Sequence, residues 1–115
     1  MDAHCIFCKI VAGAIPANKL HDDDRAVAFH DLHPQSPVHV LVIPKEHVTS
    51  LAHTDDGHAA VLGHLLRVTA RLAETLGVAS SGYRTVINTG ADGGQSVHHL
   101  HVHLLAGRAH GWPPG

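Results

Sequence analysis

Near the end of the chain, polar and apolar residues alternate strictly: His99-Leu100-His101-Val102-His103-Leu104-Leu105. Strand side chains point to opposite faces in turn. Leu100, Val102 and Leu104 therefore form the expected buried face of a strand over residues 99–105, and His99, His101 and His103 form the other. The β-branched run over residues 38–43 predicts a second strand, ended by Pro44. Residues 19–21 and 26–31 predict a hairpin whose turn, Asp22-Asp23-Asp24, reads as a solvated loop tip. A further strand is predicted over 83–88. The period changes over residues 55–76, where Val61, Leu65, Val68, Leu72 and Leu76 recur at helical spacing. Thr54 is the expected N-cap of this long helix. Asp55 and Asp56 suit its positive first turn, and Gly77 suits its stop. A short helix is expected over residues 5–12, closed by Gly13 and Ile15-Pro16, and residues 33–37 read as a rigid loop. Together these elements predict an α+β fold in one domain spanning residues 1–115: an antiparallel meander, one long covering helix and a short N-terminal helix.

Composition narrows the function. The chain has 115 residues, 44% apolar and 16% charged, a globular balance with a modest core. Formal net charge is −2 with histidine neutral, and no basic stripe is present, so no nucleic-acid polymer is expected as a partner. Protonating all 14 histidines would raise that charge by 14, to +12, so acid should stress the fold. No apolar run approaches the ~18 residues of a membrane span, and no basic region followed by an apolar stretch opens the chain. A cytoplasmic protein is expected. Its two cysteines, Cys5 and Cys8, are too close to staple a long loop and are expected to be reduced, available to a metal or for redox work.

The histidine face is the main chemical signal. Three imidazoles against an apolar backing suggest a chemical surface rather than core, since histidine acts as base, nucleophile or ligand near neutral pH. One reading is a catalytic metal, with a His-x-His pair and a water completing an open site. Against it, His99 and His103 are about 13 Å apart along a strand, so at most two of the three could comfortably share an ion. The other reading is covalent catalysis, in which a central imidazole attacks phosphorus and its neighbours bind the phosphate and set its tautomer. The spacing of about 6.6 Å between His101 and His103 suits two groups gripping one phosphoryl unit. The glycine-rich segment 89–96 lacks Rossmann or P-loop spacing. It is either a hairpin connection or a loop whose backbone approaches an anion.

The run Gly93-Gly94-Gln95-Ser96-Val97-His98-His99-Leu100-His101-Val102-His103-Leu104-Leu105 resembles the signature of the histidine triad (HIT) superfamily. Phe29-His30-Asp31-Leu32, the stretch from Pro37 to His47, Asn88 and Trp112-Pro113-Pro114-Gly115 extend the resemblance to the Hint branch over nearly the whole chain. The resemblance implies a homodimeric purine nucleoside phosphoramidase. Such an enzyme hydrolyses the P–N bond of adenosine or guanosine 5'-monophosphoramidates through a nucleotidyl-histidine intermediate. By matching position, His101 would be the nucleophile, His103 would bind phosphoryl oxygens, and Ser96 would sit near the leaving group. Asp31 would hold the ribose hydroxyls and Leu32 would line the base pocket. Asn88, Gly94 and Gln95 would contact the phosphate side, and His39 would set tautomers in the histidine cluster. Two departures stand out: His98 replaces a usual aromatic residue, and Gly111 stands between His110 and Trp112.

Cys5-Ile6-Phe7-Cys8 has metal-ligand spacing but supplies only two ligands. The resemblance to zinc-containing bacterial HIT proteins implies that His47 and His99 complete the set, giving one structural zinc per chain. In metal-free relatives His99 would instead join the hydrogen-bond network, and the two roles compete for one side chain. Two other functions share these features. One is a HIT-type dinucleotide hydrolase or nucleotidyl transferase. The other is a zinc- and nucleotide-binding interaction module with little turnover.

Overall fold

The computed structural model describes residues 4–115. Five strands form one antiparallel sheet: β1 (Lys19–Asp22), β2 (Ala26–His30), β3 (Val38–Pro44), β4 (Arg84–Val86) and β5 (Val102–Ala106), in the order β1-β2-β3-β5-β4. The first three are a meander. The chain then crosses one face of the sheet as the long helix, forms edge strand β4, and returns as β5 between β3 and β4.

The sheet is covered on both faces. Helix α2 (Ala59–Thr75) buries Leu65, Val68, Leu72 and Ala73 against Ala26 and Ala28 of β2, Val40 and Val42 of β3, and Val102, Leu104 and Ala106 of β5. On the opposite face, helix α1 (Ile6–Val11) packs Phe7, Cys8 and Ile10 against Val27, Phe29, Leu41 and Ile43. Strand parity assigns alternate residues to each layer, as the sequence pattern requires.

Several local expectations are corrected. Thr54 does not cap the long helix. It closes a single 3-10 turn, Leu51–His53, and its hydroxyl donates to the Leu51 carbonyl at 2.7 Å. Asp55 caps a second turn, Asp56–His58, accepting from Gly57 N–H while its own N–H donates to His58 Nδ1. This reciprocal pair satisfies the loose donors of the helix entry, so regular α-helix starts only at Ala59. Pro44 lies within β3 and pairs with Ala26 rather than ending the strand before it. The expected strand over 99–105 begins at Val102. Upstream, Leu100 N–H donates to the Val48 carbonyl at 2.7 Å and the His99 carbonyl accepts from the His101 ring, so neither joins the ladder. The Asp22–Asp24 turn is not simply a solvated tip, because Asp23 is half-buried and takes four hydrogen bonds.

Candidate functional site

The histidine face is not an open surface, contrary to expectation. His99 is fully buried and His101 is nearly so, beneath α1. Their rings meet the edge of Phe7, with centroids 5.8 and 5.2 Å away. Burial is tolerated because polar atoms of both rings have partners. These partners also fix the tautomers, since a carbonyl only accepts and a backbone N–H only donates.

The His99 Nε2–H donates to the Pro44 carbonyl at 2.8 Å, which leaves the Nδ1 lone pair free. The His101 Nδ1–H donates to the His99 carbonyl at 2.6 Å, which leaves the lone pair on Nε2. His39 Nδ1 accepts the Gln35 N–H at 3.0 Å, so His39 carries its proton on Nε2 and donates it to His103 Nδ1 at 2.9 Å. His103 must then carry its proton on Nε2, a buried atom with no hydrogen-bond partner among the described residues. A nucleophilic nitrogen on His101 thus lies beside an unpaired donor on His103, with ring centroids 4.8 Å apart. An unsatisfied buried donor costs stability unless a ligand meets it.

These two rings line a cleft of about 440 Å³, the volume of a small-molecule site. Ile6, Phe7, Ile10, Ile15 and Phe29 make its apolar wall, and Asp31, His39 and Ser96 add polar groups. Leu32 lines it while 85% exposed, an apolar side chain placed for a ligand to cover. Asp31 Oδ1 accepts the His33 N–H at 2.8 Å, while Oδ2 lies 3.5 Å from His39 Nε2. The structure thus gathers Asp31, Leu32, His39, Ser96, His101 and His103 around one cavity. Asn88, Gly94 and Gln95 are not among its lining residues. The Gln95 amide holds its loop instead, donating to the Thr49 and Val97 carbonyls and accepting the Gly90 N–H. The glycine-rich segment folds into one helical turn, Gly90–Gly93, closed by Gly94 at φ 80°. Sequence reasoning missed the wall from α1 and residues 15–17, because one and a half turns of helix show no full hydrophobic period.

Burial pushes the His39 pKa down, against the pull of Asp31 and with the push of His101. Burial also lowers that of His103, aided by His101 and His39, to about 4. Both rings are neutral near pH 7. On unfolding they regain the ordinary value near 6.5, so the unfolded chain takes up protons first as pH falls. The stability that rests on their neutral forms is complete above pH 6.5 and is lost as pH falls toward 4. Urea unfolding at pH 7.5 and pH 5 should show a loss of about 1–2 kcal/mol from His103, after allowance for solvent screening, with His39 adding in the same direction. The loss should be smaller in His103→Gln. An identical pH dependence in that variant contradicts the assignment.

A second cluster lies directly behind the cleft. His99 Nδ1 is 3.3 Å from Cys5 Sγ, 3.6 Å from Cys8 Sγ and 3.2 Å from His47 Nδ1, and Cys8 Sγ is 3.3 Å from His47 Nδ1. One ligand atom from each of the four residues falls within 4.8 Å of all the others. Tetrahedral zinc bonds of about 2.0–2.3 Å imply ligand separations of roughly 3.3–3.8 Å, so the donor set fits a four-coordinate ion. The hydrogen bond from His99 Nε2 to Pro44 is the outer contact that orients a ligating imidazole. His99 therefore faces the sulfurs with its side chain and the His101 ring with its carbonyl.

Comparison with known proteins agrees with this arrangement. The HIT domain family model matches residues 12–110. The chain is 46% identical to a 14 kDa zinc-binding protein of Zea mays, over 99% of this chain and 90% of that one. It is 45% identical to Adenylylsulfatase HINT1 of Arabidopsis thaliana, over 99% and 78% respectively. The crystal structure of a HIT family hydrolase from Legionella pneumophila superposes with a TM-score of 0.95 at 43% identity, covering 97% of this chain and all of that one. The family match over residues 12–110 and the superposition show that the chain belongs to the HIT family.

Proposed function

We propose that this protein is a purine nucleoside phosphoramidase of the Hint type, a single HIT domain over residues 1–115. It would hydrolyse the P–N bond of adenosine or guanosine 5'-monophosphoramidates. The observation that carries the reading is the tautomer chain, which leaves a lone pair on His101 Nε2 beside a free N–H on His103. The relative named an adenylylsulfatase supports an adenylyl compound as substrate, and the relative named a hydrolase supports hydrolysis.

In this mechanism His101 Nε2 attacks phosphorus, and the P–N bond breaks as the leaving nitrogen takes a proton from solvent, which the attacking water gives back in the second step. His103 Nε2–H donates to a phosphoryl oxygen that gains charge in the transition state. His39 holds the His103 tautomer. Ser96 lies near the leaving group, Asp31 holds the ribose hydroxyls, and Leu32 covers the base. Asn88, Gly94 and Gln95 shape the phosphate side, Gln95 by fixing its loop. Water then attacks the nucleotidyl-histidine, releasing the nucleoside monophosphate and restoring His101. Release of adenosine monophosphate from adenosine 5'-phosphoramidate tests the reading. Turnover of that substrate supports it. Cleavage confined to dinucleotides, or binding without turnover, sinks it.

One zinc per chain, held by Cys5, Cys8, His47 and His99, completes the proposal. With four protein ligands such a metal supplies no open position for chemistry and acts structurally. The protein is also proposed to be a cytoplasmic homodimer; no helix among the described residues is long and apolar enough to cross a membrane. The two-fold contact would run through the long helices and residues 83–88. The exposed Leu66 and Tyr83 and the short edge strand β4 support that surface. Arg84 pins the tail beside β4 by donating to the Gly111 carbonyl at 2.7 Å, and Trp112 is left 83% exposed. The tail would reach the partner's cleft and select leaving groups. Deleting residues 111–115 should change the ratio of kcat/KM between bulky and simple phosphoramidates severalfold. An unchanged ratio, or an active monomer in sedimentation, counts against this part.

A further inference from the structure

On the α2 face of the sheet, away from the cleft, three side chains from separate elements meet. His21 of β1, Asp23 of the β1–β2 turn and His64 of α2 place their ligand atoms within 4.8 Å of one another. His21 Nε2 and His64 Nε2 each lie 2.6 Å from the same atom, Asp23 Oδ2. The other carboxylate oxygen, Oδ1, accepts the backbone N–H groups of Arg25 and Ala26 at 2.7 and 2.8 Å. The turn thus holds the carboxylate rigidly and presents Oδ2 to the two rings. All three residues are partly buried and none belongs to the catalytic cleft or the Cys/His cluster.

We propose that His21, Asp23 and His64 form a second metal site, for one first-row divalent cation of the zinc class. Two imidazole nitrogens and one carboxylate oxygen suit such ions and leave positions for water. Oδ2 and the Nε2 atoms now stand at hydrogen-bond distance. Ligand separations of roughly 3.2 Å need each ring to retreat by about half an ångström, a movement that partly exposed side chains make by small rotations. In the bound state each ring would carry its proton on Nδ1 and give the Nε2 lone pair to the ion. The bound ion would tie the hairpin turn to the long helix across 41 residues of sequence.

Titration with Co2+ tests the site in the full-length protein. Metal on the Cys/His cluster gives intense sulfur-to-cobalt charge transfer. The new site should add one equivalent carrying only weak ligand-field bands. Asp23→Asn keeps the turn's acceptor for Arg25 and Ala26, and with His64→Ala it should weaken that equivalent at least about tenfold. Equal affinity in both variants, absence of the sulfur-free equivalent in the wild type, or charge transfer on every equivalent overturns the proposal. Amide NMR of the wild type needs no variant to fold. Paramagnetic broadening from the sulfur-free equivalent should centre on His21, Asp23 and His64, and broadening centred elsewhere refutes the site.

Discussion

Replacing His101 by alanine is expected to lower kcat on adenosine 5'-phosphoramidate by at least about a thousandfold while changing nucleotide affinity only a few-fold. In the proposed mechanism the ring does two separable things: its Nδ1–H bonds to the His99 carbonyl, and its Nε2 would carry the attacking lone pair. Alanine removes both, but the apolar wall, Asp31 and the His103 donor, which are proposed to grip the nucleotide, remain. His101→Gln, which nearly preserves volume, separates the roles, because it restores packing against Phe7 without restoring a nucleophile. Both variants should fold and both should be inactive. Stopped-assay kinetics with calorimetric measurement of nucleotide affinity checks this. Turnover within tenfold of wild type in either variant would remove His101 from the mechanism.

Loss of the proposed zinc is expected to be the second large effect. Cys5, Cys8, His47 and His99 join α1 and the start of the chain to the end of β3 and the approach to β5. A ligand that binds only the folded state at a thousand times its Kd adds about 4 kcal/mol, or roughly 15 °C in Tm for a domain of this size. Chelation, or Cys8→Ser, should lower Tm by about that amount. Loosening α1 should also raise KM, because Phe7 and Ile10 wall the cleft. The chemical step should suffer less, since an ion held by all four side chains would have no position open to substrate. Metal analysis of purified protein should give about one zinc per chain on this cluster. A chelator-insensitive Tm, or zinc lost on replacing His101, contradicts this account.

The α+β architecture was legible because its strands and long helix obey clean periods. The alternation of His99, His101 and His103 against Leu100, Val102 and Leu104 survives in the fold as two faces, one toward α1 and one toward α2. What alternation could not reveal is that α1 covers the histidine face. Burial of His99 depends on the Pro44 carbonyl and two thiols brought from distant sequence. The pairing of Cys5 and Cys8 with His47 and His99 came from the family resemblance, since spacing gives only two ligands. Thr54 was misread because cap preference alone does not distinguish it from Asp55, whose reciprocal bond with His58 decides the helix entry. Asp23 looked like solvent-facing turn because nothing local announces a partner on α2. The roles of individual residues lie a level deeper, since tautomers follow from partners that only the three-dimensional arrangement supplies.

The central claim is that His101 becomes covalently bound to the nucleotide. Rapid acid-free quenching of wild-type protein during turnover of adenosine 5'-phosphoramidate, followed by peptide mass spectrometry, tests it most directly. The account predicts one adenylyl group per active chain, on the peptide bearing His101 and absent in His101→Gln. An adduct on His103, or full turnover with no adduct on any histidine at the shortest quench times, would contradict it.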